Sequence, residues 1–159
     1  MTVSLPMSAR PFHPREQGDQ TRALIWSPLL RATHAAQANV IASVKLGFSE
    51  VLLVEDDPLV ADAMDQLLQA WGLHVRKVAT AAQALRQSGF GQLAICDVRL
   101  PDGAVGLEVA LQMRKMGKKV LLISGETHLA LRESAQHHQL LLLTKPVSST
   151  ELLAALQSL

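Results

Sequence analysis

The sequence predicts an α/β domain, a doubly wound parallel sheet of five strands, and three observations predict it. From Glu50 onward, short apolar runs alternate with amphipathic segments five times, at roughly 20 residues per unit, the rhythm of strand-helix repeats. The runs VLLV (51–54), LAIC (93–96), VLLI (120–123) and LLLL (140–143) are apolar throughout and read as strands, the first as a strand buried on both faces of a parallel sheet. Each of these four runs leads into residues suited to phosphate chemistry. Glu55, Asp56 and Asp57 follow the first, Asp97 the second, Ser124 the third and Lys145 the fourth. Ligands of open parallel sheets bind beyond the carboxyl ends of the strands, so side-by-side packing would gather all four groups in one pocket.

The elements follow in order. Residues 1–27 read as irregular, broken by Pro6, Pro11, Pro14 and Gly18. Residues 28–46 have the spacing of a helix, with Pro28 at its first position and Gly47 past its end. They form the second part of an N-terminal extension, 1–49, ahead of the main domain, 50–159. After strand 51–54, Pro58 opens a helix whose Val60, Ala63, Met64, Leu67 and Trp71 form one apolar stripe, and Gly72 ends it. Residues 74–79 alternate, which predicts an edge strand. Thr80 can cap a short helix running through Ser88. After strand 93–96 comes a loop with Pro101, Gly103 and Gly106, then a helix over 107–116 stopped by Gly117. Strand 120–123, a polar helix over 127–137 and strand 140–143 follow. Ser148 and Glu151 make a capping box for a last helix that runs to about Leu159.

Composition bounds the function. The 159 residues are 48% hydrophobic and 18% charged, which fits a globular domain with a tail. A formal net charge of +1 offers no argument for nucleic acid or a membrane as partner. The basic excess of residues 1–49 is scattered and reads as solvated. No apolar stretch approaches the roughly 20 residues that span a bilayer, and no signal peptide opens the chain. Cys96, the single cysteine, excludes an internal disulfide and reads as a buried core thiol. A cytoplasmic location is expected.

Three consecutive acids at the mouth of a buried strand repel one another unless a cation neutralises them, and magnesium favours one or two carboxylates plus a phosphate. The plainer reading has Asp57 capping the next helix while Glu55 and Asp56 face solvent. Asp97 weakens that reading, because it is a fourth acid at another apolar strand end, where a carboxylate is costly unless paired or used. A carboxylate can act as a nucleophile toward a phosphoryl group. Lys145 is a point-charge partner for carboxylate or phosphate, and Ser124 a hydroxyl donor. Alone, each would be a surface or turn residue.

VLLVEDDP (51–58), ICDVRLPDG (95–103), VLLISGE (120–126) and LLLTKPV (141–147) together resemble the receiver domain of two-component response regulators, over about two thirds of the chain. The resemblance implies a flavodoxin-like fold with strand order 2-1-3-4-5. It implies Asp97 as phosphoacceptor, and Mg2+ held by Glu55, Asp56, Asp97 and the backbone carbonyl of Arg99. Asp57 becomes a neighbour. Lys145 would pair with the phosphoryl group, ahead of a cis bond to Pro146, and Ser124 would close on it as the switch hydroxyl. A sensor histidine kinase or histidine phosphotransfer protein would supply the phosphoryl group. A downstream protein would read it through the 124–159 face, and a homodimer is left open. No enzyme activity is expected beyond self-phosphorylation and self-dephosphorylation of Asp97.

Two features depart from the pattern. Where receivers usually carry an aromatic residue, three positions before the lysine, this chain has Leu142, and it contains no tyrosine at all. The loop DGAV (102–105) is one residue longer than usual. Both features resemble receivers at the C-terminal ends of hybrid histidine kinases, so a fragment of such a kinase is one alternative reading. A phosphorylation-independent pseudo-receiver is another. The opening MTVSLPMS faintly resembles the closing strand of a kinase ATPase domain, and an ordinary extended tail is the preferred reading. His34 lacks the surroundings of a phosphoacceptor histidine, and His137 and His138 read as helix-end residues. Arg99 and Glu126 are expected at the pocket rim, where opposite charges could slow hydrolysis of the phosphoryl group.

Overall fold

The computed structural model describes residues 45–101, 106–125 and 129–159. Five strands and five helices alternate among them: β1 (Glu50–Val54), α1 (Pro58–Ala70), β2 (His74–Val78), α2 (Ala81–Arg86), β3 (Leu93–Asp97), α3 (Gly106–Lys115), β4 (Lys119–Ser124), α4 (Leu129–His137), β5 (Leu141–Thr144) and α5 (Ser149–Ser158). The sheet runs β2-β1-β3-β4-β5, all neighbours parallel. Val51 pairs with Leu93, Asp97 with Ile123 and Ser124 with Thr144. Three of the apolar runs are thus the central strands β1, β3 and β4; the fourth, β5, is an edge strand and half-buried, and the alternating His74–Val78 lies at the opposite edge, as its pattern predicts.

Successive side chains of a strand point to opposite faces, and the core divides accordingly. Val51 and Leu53 pack on one side with Leu68, Leu152 and Leu156. Leu52 and Val54 pack on the other with Cys96, Ala110 and Met113. Burial pushes the Cys96 thiol up to about 12, so it stays protonated in the core.

The helix ends obey local chemistry. The Asp57 carboxylate accepts from the Leu59 and Val60 N–H groups, capping α1. Thr80 caps α2, which stops at Arg86 rather than Ser88. β5 starts at Leu141 rather than Leu140, because the Leu140 N–H is spent on the Ala135 carbonyl at 2.8 Å, closing the end of α4. Ser148 and Glu151 form the expected capping box on α5. Ser148→Ala is expected to cost about 1 kcal/mol near neutral pH. The Ser148 hydrogen bonds hold the Glu151 carboxyl below its usual 4.5. A depressed folded-state pKa gives stability that is present above the unfolded value and lost as pH falls through the folded one. The gap between wild type and Ser148→Ala in urea melts should therefore narrow as pH drops below 4.5; a gap constant down to pH 3 would refute the reading.

Lys45 and Leu46, the last positions of the helix expected over 28–46, are irregular; the rest of it lies outside the described residues. So do His34, MTVSLPMS, DGAV and Glu126. The lead-in to β1 is anchored. Phe48 is only 7% exposed and belongs to the core, and the Lys119 ammonium lies 5.6 Å from its ring centroid. Phe48→Ala should lower stability by about 3 kcal/mol. Removal of residues 1–49 takes Phe48 with it and should give a lower thermal midpoint than removal of residues 1–44. Equal midpoints for the two truncations would refute the anchoring by Phe48.

Candidate functional site

Each candidate residue occupies a position dictated by the strand that carries it. Glu55 follows β1 directly and its N–H donates to the Val78 carbonyl at 3.0 Å, so it remains tied to the sheet. Its carboxylate turns inward, 7% exposed, and accepts from the Asp57 N–H at 3.2 Å. Asp97 is the last residue of β3 and 9% exposed. It accepts the Arg99 N–H at 3.0 Å. Ser124 ends β4 fully buried, and its carbonyl accepts the Lys145 N–H at 2.7 Å, fixing the start of the loop after β5. The Lys145–Pro146 bond is cis.

These constraints bring Lys145 Nζ to 2.8 Å from Glu55 Oε2 and 2.6 Å from Asp97 Oδ2. One ammonium thus joins residues 90 and 48 positions away. Glu55, Asp56 and Asp97 each offer a carboxylate oxygen within 4.8 Å of the others. Asp56 is the exposed member, and Asp57 is turned to its helix cap. The plainer reading of the acidic triplet therefore holds for Asp57 and fails for Glu55.

The electrostatics follow from this crowding. Burial pushes the Glu55 carboxyl up to about 7, against the pull of Lys145, and the nearby Asp97 adds to the rise. For Lys145, burial lowers the pKa, but Glu55 and Asp97 together outweigh it and the ammonium is raised above 10.5. Three carboxylates face one ammonium, which leaves an anionic pocket. That donor set is all oxygen, clustered and partly open to solvent, which suits a small hard divalent cation.

Arg99 is exposed at the rim, and its guanidinium lies 3.8 Å from where a Cβ on Gly125 would be. Leu142 is partly buried in β5, packed against the core layer that contains Val120 and Leu122. One site requirement escaped the sequence reading. Gly106, the first residue of α3, lies so close to Asp97 that an added Cβ would fall 1.9 Å from the Asp97 carbonyl oxygen. Its glycine reads only as a loop breaker in the sequence.

Known proteins share this fold. The chain is 30% identical over 117 residues to the response regulator protein TmoT of Ectopseudomonas mendocina, covering 69% of this chain and 52% of that protein. It is 30% identical over 116 residues to the response regulator protein TodT of Pseudomonas putida, covering 69% and 50%. The chain thus spans about half the length of these relatives. Among solved structures, a CheY-like response regulator receiver domain protein from Methanospirillum hungatei JF-1 superposes with a TM-score of 0.65 at 27% identity, covering 70% of this chain and 93% of that one. The model of the response regulator receiver domain matches residues 51–157, and the chain therefore belongs to that family.

Proposed function

We propose that Asp97 accepts a phosphoryl group from a phosphohistidine in a magnesium-dependent reaction, as the receiving step of a two-component relay. The observation that carries this reading is the Lys145 ammonium bridging Glu55 and Asp97 across three strand ends, beside a cluster of oxygen donors. Glu55, Asp56 and Asp97, with the Arg99 carbonyl, would hold Mg2+. The ion would supply positive charge against the transferring phosphoryl oxygens.

The chain's own residues do the rest. An Asp97 carboxylate oxygen attacks phosphorus while the phosphorus–nitrogen bond of the donor breaks, and the imidazole keeps that electron pair. Asp97 is held for attack by the Arg99 N–H and by β3. Lys145 turns from the free carboxylate to the phosphoryl oxygens, still paired with Glu55. The Ser124 hydroxyl, one strand away from Asp97, donates to the new group and carries its presence into the loop that follows. The donor is a sensor histidine kinase or a histidine phosphotransfer protein. The reader is a protein that contacts the 124–159 face, in the cytoplasm.

Incubation of the full chain with a phosphorylated histidine phosphotransfer protein tests this. The expected product is a hydroxylamine-labile acyl phosphate that forms with MgCl2 and is lost with EDTA. If the donor phosphorylates another receiver but never this chain, the pseudo-receiver reading gains.

A further inference from the structure

We propose that a groove between the C-terminal ends of α3 and α4 receives an acidic segment of a partner protein. The groove has a volume of about 420 Å3, with Leu111, Arg114 and Lys115 on one bank and His137, His138 and Gln139 on the other. Each helix runs back antiparallel to the strands, so these helix ends lie at the end of the sheet opposite Asp97. β3 alone spans five residues, which sets the groove about 15 Å or more from the acidic pocket. It is a separate surface with the opposite charge.

Basic residues at a helix end ordinarily answer the helix dipole, and Arg114, Lys115 and His137 stand in last turns. That explanation is too small here. Two helix ends present about half a negative charge each. Arg114 and Lys115 alone exceed that sum, before either imidazole is counted. None of the four basic residues forms an ion pair with a described carboxylate; the described pairs are those of Lys77 and Lys145. Glu108 and Glu133, the acids of these two helices, lie a turn or more before the helix ends.

The donors of the groove are held in place and only partly spent. The Arg114 guanidinium donates to the carbonyls of His138 and of Gln139, the latter at 2.9 Å, and to Gln139 Oε1 at 3.3 Å. Three of its five N–H groups are thus used and two remain. The exposed Lys115 ammonium donates to no described acceptor. The His137 and His138 rings are exposed and meet edge to face at 5.0 Å. Met116, next to Lys115, is 56% exposed and offers an apolar contact. The shape selects the class of anion. A flat polyanion, such as a membrane or a duplex nucleic acid, would draw on every cation at this end of the sheet. Lys118, however, is spent on the carbonyls of Phe90 and Gly91, and Lys119 on that of Leu159. The unspent cations border the groove. Cations on two banks, with Leu111 and Met116 between and beside them, suit a carboxylate-bearing chain that carries an apolar residue.

NMR titration of the isotope-labelled full chain with a short peptide of glutamates around one leucine, and with its glutamine analogue, tests this. Amide shifts should concentrate at Leu111, Lys115, Met116 and 137–139, and the analogue should produce none. Lys115→Glu and His137→Glu, both at exposed positions, should each weaken binding at least about fivefold. Arg86→Glu, at the end of α2, should stay within about twofold of wild type, because salt screens so remote a charge. Met116→Ser should weaken the leucine peptide about threefold and leave an all-glutamate peptide within about twofold. An absence of shifts at about 1 mM glutamate peptide overturns the groove. Equal losses in Arg86→Glu and Lys115→Glu also overturn it, since they would mean diffuse attraction to any cation. Tighter binding at the same amides by a DNA duplex or by phosphatidylglycerol vesicles than by the peptide would overturn the choice of a protein partner.

Discussion

Asp97→Asn is expected to take up no phosphoryl group from either a phosphorylated histidine donor or acetyl phosphate. The amide has no anionic oxygen to attack phosphorus, and no described residue nearby can replace it. Glu55 is held by Lys145 at 2.8 Å, and Asp56 is the exposed member of the cluster. The loss should be complete rather than partial, down to the background of the assay. The fold should survive, because Lys145 keeps Glu55 as partner when Asp97 is neutralised. Removing one of three clustered acids relieves repulsion, so the thermal midpoint should be unchanged or higher in metal-free buffer. Phosphotransfer to the variant under conditions that label wild type would place the acceptor elsewhere. A collapse of the midpoint would mean that Asp97 serves mainly the fold.

Gly106→Ala is expected to be the most damaging small substitution in the domain. The new Cβ would lie 1.9 Å from the Asp97 carbonyl oxygen and 2.8 Å from both Asp97 C and Val98 Cα. All three are backbone atoms, which cannot step aside as a flexible side chain can. The Gly106 N–H also donates to the Val98 carbonyl at 2.8 Å, holding α3 against the strand end. Relief requires α3 to move off β3, at a cost of about 3 kcal/mol or more. Because the clash falls on the acceptor residue itself, phosphorylation should slow along with the loss of stability. Gly117→Ala makes the matched control. It has nothing within 4 Å of its Cβ and a φ of 84°, so it should cost only about 1 kcal/mol and spare phosphorylation. Urea melts of the two variants decide the matter, and equal midpoints would refute the close-approach argument.

The site was legible in unequal parts. Glu55, Asp97, Ser124 and Lys145 announce themselves because a polar residue ending a wholly apolar run needs a partner or a use. Asp57 is ambiguous in sequence, since capping and ligation both want a carboxylate at that point; the Leu59 and Val60 N–H groups resolve it as a cap. Gly106 was not legible as special. A glycine in a loop has an adequate local explanation. Its particular neighbour, the Asp97 backbone, comes from another part of the chain.

By itself the sequence determined the strands, the helices and their caps. These depend on apolar periodicity and on side chains reaching backbone groups a few residues away, so the information is local. It also placed acids, a hydroxyl and an ammonium at the strand ends. Only the tertiary structure decided that one ammonium joins Glu55 to Asp97 and that α3 can approach β3 only through a glycine. Those are distances between segments separated by tens of residues. Strand register and the packing of helices across the sheet set them, and no local pattern encodes a distance of that kind.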